Sequence, residues 1–189
     1  MLTRRATVPY KPLAPVHIII FALLSLGVVL GGIFATGFYW DEYLISQNIY
    51  ASFRNLDIRA YQALNFRNSV FRHFRTVSLI WILGFLHAGI FFQVMIIGVR
   101  GFFIGYGVSM LVIQFGASGL LLAIPAIILQ NIFFIIVLFF IVINFRVHEK
   151  KLHDRIVALF IALICAVIIS LYESYISPSL CLWIFESIS

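Results

Sequence analysis

The longest stretch without a charged side chain, residues 101–145, limits most strongly what this chain can fold into. It holds no Asp, Glu, Lys or Arg across 45 residues, which as one α-helix would be about 68 Å long. The hydrocarbon core of a bilayer is only about 30 Å thick, so an apolar run of this length has to fold back. The sequence Gly116-Ala117-Ser118-Gly119 marks the turn, because glycine and serine allow backbone conformations that a helix cannot use. The run therefore predicts two spans, over residues 99–115 and 120–143.

The composition of the whole chain indicates a membrane location. Hydrophobic residues make up 63% of the sequence, charged residues only 11%, and the mean hydropathy is +1.09, whereas about a quarter of the residues in soluble domains are charged. Three further apolar runs predict spans over residues 16–38, 77–98 and 156–172. We therefore expect an all-α, polytopic integral membrane protein with about five transmembrane helices, forming a single membrane domain over residues 1–189.

The net charge of +6 indicates membrane topology and not a nucleic-acid partner, because the basic residues lie in short clusters between apolar runs. Cytoplasmic segments carry an excess of Lys and Arg, and their distribution predicts a multi-pass cell-membrane protein with a cytoplasmic N-terminus and an external C-terminus. In this arrangement Arg100 marks the cytoplasmic turn between the second and third spans, where its side chain can reach the headgroups. A gating or substrate-binding arginine is the alternative.

Small and polar residues within the apolar runs predict how the spans pack. Glycines allow close van der Waals contact between helices in lipid, and five of them interrupt or open the second and third spans: Gly84, Gly89, Gly101, Gly105 and Gly107. In the fourth span, Pro125 predicts a kink, and the amides of Gln130 and Asn131 need partners. These amides are interpreted as contacts between helices or as a functional or partner-contact site, and a homodimer is one way to satisfy them.

The segment between the first two spans, residues 39–76, is predicted to be external and to hold a juxtamembrane or interfacial helix. Basic and aromatic side chains alternate in it in a pattern typical of interfacial helices, and the residues singled out are Arg67, Asn68, Phe71, Arg72, Phe74 and Arg75. Two interpretations remain open. The residues form a basic, aromatic collar against membrane lipid, or they form a docking surface for an external protein.

Ionisable side chains are scarce within the predicted spans, which disfavours catalysis and ion-coupled transport. No HExxH motif and no set of nucleophile and base occurs in the apolar runs. The two cysteines, Cys165 and Cys181, have neither CxxC spacing nor neighbouring metal ligands. The sequence therefore predicts no catalytic residue, no metal site and no cofactor.

Three stretches resemble the stage II sporulation protein M family of endospore-forming bacteria: "FRNSVFRHFRTVSLIWILG", "VRGFFIGYGVSMLVIQFGASG" and "LLLAIPAIILQNIFFIIVLFF". The resemblance covers most of the chain, including the five-span layout. Asn68 matches the asparagine before the second span, Gly101 and Gly105 match the glycines that open the third, and Gln130-Asn131 match an element of the fourth. Leu129 stands where sporulation members often have proline.

The resemblance implies a non-enzymatic membrane component of the engulfment machinery, located in the septal membrane of the mother cell. Members of the family are understood to hold two peptidoglycan-degrading proteins, stage II sporulation proteins D and P, at the septum. Wall removal then drives the mother-cell membrane around the forespore. The alternative hypothesis is a transport or channel subunit, such as one associated with an ABC transporter, acting as a dimer around Gln130 and Asn131.

Overall fold

The computed structural model describes residues 14–37, 58–86, 88–146 and 151–188, and within these ranges it contains helices and turns but no strand. In chain order the elements are α1 (Ala14–Gly37), α2 (Ile58–Leu83), α3 (Gly89–Phe115), α4 (Ala117–Ala123), a first π-helical segment (Ile124–Ile128), α5 (Leu129–Arg146), α6 (Leu152–Leu171), a second π-helical segment (Tyr172–Ile176) and α7 (Ser177–Ile188). The all-α class is confirmed for this part of the chain. The N-terminal basic residues and residues 39–57 of the predicted external segment lie outside the described residues.

Among the described residues, four stretches are long and apolar enough to cross a membrane: Ile18–Gly37, Gly89–Phe115, Ala117–Phe145 and Leu152–Ile184. Their length and composition support a membrane location. The count differs from the expected five because the predicted second span, residues 77–98, is divided. Its first part belongs to α2, which carries four arginines, and its second part continues into the predicted third span within α3.

The boundary predicted between the second and third spans is wrong. The structure has no turn at Arg100, which lies inside the continuous helix α3. The chain turns instead between Leu83 and Gly89, where Gly84 begins a short series of turn hydrogen bonds. A Cβ at Gly89 would overlap the carbonyl oxygen of Leu83, so this tight turn needs a glycine. The turn between α2 and α3 therefore lies before Arg100 and not at it.

The turn predicted near Gly116 is present, and it is tighter than expected. Gly116 has φ 61° and ψ −136°, a conformation that is essentially restricted to glycine. Its N–H donates to the carbonyl of Val112 at 2.8 Å, and α4 begins directly afterwards at Ala117. One residue therefore reverses the chain between two spans.

Helices α1 and α3 form the closest helix pair in the described part of the fold. Four glycines bring the two backbones together: Gly27 and Gly31 in α1, and Gly101 and Gly105 in α3. A Cβ at Gly101 would overlap the carbonyl of Leu24, and one at Gly105 would overlap that of Val28. Because these contacts advance in the same direction along both helices, α1 and α3 are parallel.

Helix α2 returns the chain in the opposite direction and is packed into the bundle. Its buried positions, Ser69, His73, Val77 and Ile80, share one face. Val77 and Ile80 join a core with Ile20, Ile97, Phe134, Leu138 and Ala166 from the other helices. A helix is therefore present in the expected segment, and it packs along α6 and against the core.

Candidate functional site

Six polar side chains from four elements meet inside the bundle, and we call them the central polar cluster. They are Ser69, Arg72 and His73 in α2, Arg100 in α3, Asn131 in α5 and Glu173 in the second π-helical segment. Each is joined to at least one other member by a hydrogen bond or an ion pair. The cluster divides into a part around Glu173 and a part around Arg100.

Around Glu173, three side chains of α2 bind one carboxylate. Ser69 Oγ donates to Oε2 and Arg72 Nη2 donates to Oε1, while His73 Nε2 lies 3.0 Å from Oε2. The side chains of His73 and Glu173 are 2% and 12% exposed, whereas that of Arg72 is 56% exposed. Because Ser69, Arg72 and His73 are spaced within one turn of α2, the carboxylate clamps this helix to the end of α6.

Around Arg100, the guanidinium is held by an amide and an aromatic ring. Its Nε donates to Asn131 Oδ1 at 3.1 Å, and Asn131 Nδ2 donates in turn to the carbonyl of Ile127 at 2.7 Å. The carbon of the guanidinium lies 3.9 Å from the centroid of the Phe134 ring, a cation–π distance. The His73 ring centroid lies 4.3 Å from the centroid of the same phenylalanine, so Phe134 connects the two parts of the cluster.

These charges lie deep within the helices that can cross a membrane. Arg100 is the twelfth of the 27 residues of α3, about 17 Å along the axis from its start. Glu173 lies within the apolar stretch Leu152–Ile184. Ionisable side chains are thus few in these helices, but Arg100 and Glu173 lie within them and not at their ends as expected. Charged groups at this depth are costly and commonly functional.

Two π-helical segments shape the cluster. The first contains Pro125, which lacks the N–H that an α-helix would use, and it supplies the Ile127 carbonyl that orients Asn131. The second carries Glu173. The two segments are in contact, because the Tyr172 hydroxyl donates to the Pro125 carbonyl at 3.2 Å. Single-turn π-helical segments within α-helices are frequent at functional sites.

The residues predicted to pack helices lie in several places. Gly101 and Gly105 face α1, and Gly107 faces the side chain of Ile127. A Cβ at Gly84 would meet the ring of Phe145 at 2.6 Å. Gly89 faces the preceding turn, Pro125 is buried, and Gln130 has a buried Oε1 atom without a hydrogen-bond partner in the described chain. Of this predicted set, Asn131 alone joins the central polar cluster.

The six residues predicted to dock a partner divide between two faces of α2. Arg67, Asn68, Phe71 and Arg75 are exposed, with Phe71 at 71%. Phe74 packs against the core, and Arg72 binds Glu173. We call Arg67, Asn68, Phe71 and Arg75 the outer face of α2.

Sequence reasoning missed Ser69, His73 and Glu173 as site residues, and Gly27 and Gly31 as packing residues. The two glycines have the same four-residue spacing as Gly101 and Gly105, so the signal was present in the first span. Ser69 and His73 are also four residues apart on one helical face. Glu173 has no local signal, because its three partners are all about a hundred residues away.

An apolar groove of about 850 Å³ lies between α1 and α3. Its lining includes Leu23, Leu26, Phe91, Met95 and Phe103, and no polar side chain or member of the central polar cluster contributes to it. Such a surface suits the hydrocarbon chains of a bilayer. No group of three or more His, Cys, Asp or Glu that could hold a metal ion occurs among the described residues.

Comparison of the chain with protein-family models, with curated proteins and with solved structures gives no match.

Proposed function

We propose that this protein is a non-enzymatic membrane scaffold of the sporulation engulfment machinery. In this proposal it recruits peptidoglycan-degrading partners, stage II sporulation proteins D and P, and localises them at the septal membrane. The proposal combines the resemblance of three long stretches to the stage II sporulation protein M family with the arrangement of α2.

The observation that carries the proposal is the division of α2 into a fixed face and a displayed face. The fixed face is held by Glu173 through three side chains and by the core through Val77 and Ile80. The outer face presents two arginines, an asparagine and a phenylalanine. A helix that is held rigidly loses little conformational entropy when its exposed face binds a partner.

The proposed orientation places the first residues of α1, α3 and α6 on the cytoplasmic side. Helices α1 and α3 are parallel, and α6 is antiparallel to α2, because Trp81 contacts Arg155 while Arg72 contacts Glu173. The basic residues Lys150, Lys151 and Arg155 precede or begin α6, which agrees with the excess of Lys and Arg on cytoplasmic sides. The N-terminal half of α2 then belongs to the external side, where peptidoglycan lies.

Co-purification from detergent extracts of sporulating cells tests this proposal. Arg67→Glu combined with Arg75→Glu should reduce recovery of both hydrolases, because each change reverses a displayed charge without touching the Arg72–Glu173 pair. Lys151→Glu, at the other end of the bundle, is the matched charge-reversal control. Undiminished recovery with the double variant, at unchanged elution volume and thermal stability, would rule out the outer face of α2 as the docking surface.

A second candidate function, a transport or channel subunit, is favoured by the charged side chains at membrane depth. Arg100 and Glu173 lie in apolar segments where a path for a charged solute would need compensating groups. Proteoliposomes containing only this protein provide the test. Flux of an ion or small solute that is lost in Arg100→Gln would support transport, and tight vesicles at protein densities that give full reconstitution would exclude it.

A further inference from the structure

The Arg100 guanidinium has more hydrogen-bond donors than its neighbours use. A guanidinium has five N–H donors in one plane, and with the residues that the structure describes Arg100 makes one hydrogen bond, from Nε to Asn131. Phe134 covers a face of the guanidinium and takes no in-plane donor. The two terminal Nη groups therefore remain available, in the planar arrangement that matches the two oxygens of a carboxylate.

Among the described residues Arg100 has no ion pair of its own, and it shares the charge of Glu173 with Arg72. Glu173 is occupied by Ser69, Arg72 and His73, and within the described ranges no carboxylate forms an ion pair with Arg100. Arg72 is 56% exposed, so its charge is solvated, whereas Arg100 is only partly exposed and lies in surroundings of lower dielectric constant. An uncompensated charge in such a setting is strongly unfavourable, so a second anion would be bound favourably.

The surroundings of Arg100 form a built site and not a flexible surface. Asn131 is fixed by the carbonyl of Ile127 in the first π-helical segment. His73, which is 2% exposed, lies against the same Phe134 ring, and its Nδ1 has no hydrogen-bond partner in the described chain. Arg100 itself is only partly exposed, so only a small ligand could reach its Nη groups.

We propose that Arg100 binds a small carboxylate anion at this position. The terminal Nη groups form the two hydrogen bonds to the carboxylate. Asn131 fixes the plane of the guanidinium, and the Phe134 ring supports one of its faces. This site is independent of the outer face of α2, so it goes beyond the proposed scaffold function and is tested separately.

The test measures thermal unfolding of the purified full chain in neutral detergent, with sodium formate compared with sodium chloride at equal ionic strength. The unfolding midpoint of the wild-type protein should rise with formate and approach saturation. Arg100→Lys keeps the charge but not the planar fork, and should weaken the apparent affinity about tenfold or more. Arg75→Gln, on the outer face of α2, should respond like the wild type.

If Arg100→Lys does not fold, Asn131→Asp provides a second test of the proposal. It places a carboxylate of the protein itself beside Nε, so it should lose most of the formate response, whereas the loss of the Nδ2 hydrogen bond to the Ile127 carbonyl offsets the gain in stability from the new charge pair. Equal midpoints in formate and chloride for the wild type would overturn the proposal. A formate response of Asn131→Asp equal to that of the wild type would also overturn it.

Discussion

Arg72 and Glu173 are 101 residues apart in the sequence and form an ion pair between α2 and the second π-helical segment. The same carboxylate binds Ser69 and His73, so one acidic residue fixes three positions of α2. Ion pairs with one exposed partner contribute little by themselves. Because Ser69 and His73 are buried, their hydrogen bonds to this carboxylate contribute more to the stability of the fold.

Replacing Glu173 by Gln should destabilise the fold while keeping the shape of the side chain. The amide carries no charge and cannot accept hydrogen bonds at both terminal atoms, so we expect the free energy of unfolding to fall by about 1–3 kcal/mol. Denaturant titration in mixed micelles measures this change. Asp154→Asn is the matched control, because that carboxylate is 53% exposed and lies 3.7 Å from His153; equal losses in the two variants would contradict the role assigned to Glu173.

The contact between α1 and α3 should tolerate no added methyl group at Gly105. A Cβ there would overlap the backbone of Val28, which cannot move like a flexible side chain. We expect Gly105→Ala to cost about 1–3 kcal/mol of stability. Gly98→Ala is the control two turns away, because its nearest neighbour, the carbonyl oxygen of Leu23, would lie 3.5 Å from the added Cβ. The same unfolding assay should separate the two variants, and similar stabilities would show that the helices can move apart without cost.

The turn at Gly116 should also depend on glycine, for a conformational reason. No atom lies within 4 Å of the position of an added Cβ, so space does not limit substitution there. The backbone conformation, with φ 61° and ψ −136°, does limit it, and we expect Gly116→Ala to cost about 1–3 kcal/mol. Gly37→Ala, also in open space but with ordinary helical φ, should leave the unfolding midpoint unchanged or raise it. A neutral Gly116→Ala would mean that the turn adopts another conformation.

The hydrogen bond from Trp81 to Arg155 should contribute measurably to the contact between α2 and α6. Trp81 Nε1 donates to the carbonyl of Arg155 at 3.0 Å. Trp81→Phe keeps an aromatic ring near Phe85 but removes the donor, so we expect a loss of about 1 kcal/mol. Trp183→Phe, at a side chain that is 68% exposed, provides a matched control in the same thermal-unfolding assay. Equal midpoints for the two variants would contradict this contribution.

The features that sequence could predict are those encoded locally. The apolar composition indicated the membrane class, and the charge-free run with Gly116 located the reversal between α3 and α4. Arg100 was misplaced because a lone arginine in an apolar run normally lies at a membrane boundary. What keeps Arg100 within a helix is Asn131, 31 residues away, together with the ring of Phe134.

The central polar cluster illustrates the same limit. From the sequence, Glu173 marks the end of a predicted span because an apolar run stops before it, and His73 belongs to a basic segment. Their contact depends on α2 and α6 packing side by side, which no window along the sequence contains. The glycines of α1 differ from this cluster. The four-residue spacing of Gly27 and Gly31 can be seen in the sequence, but the sequence does not show that α3 is the helix they contact.

The separation of Glu173 from α2 along the sequence has a consequence for biosynthesis. Helix α2 has too many arginines to resemble an apolar span, and its carboxylate partner is synthesised 101 residues after Arg72. Until that residue leaves the ribosome, the charged face of α2 lacks the acceptor that compensates it in the finished bundle. The Glu173 contacts of α2 can therefore form only after α6 and the second π-helical segment have been synthesised.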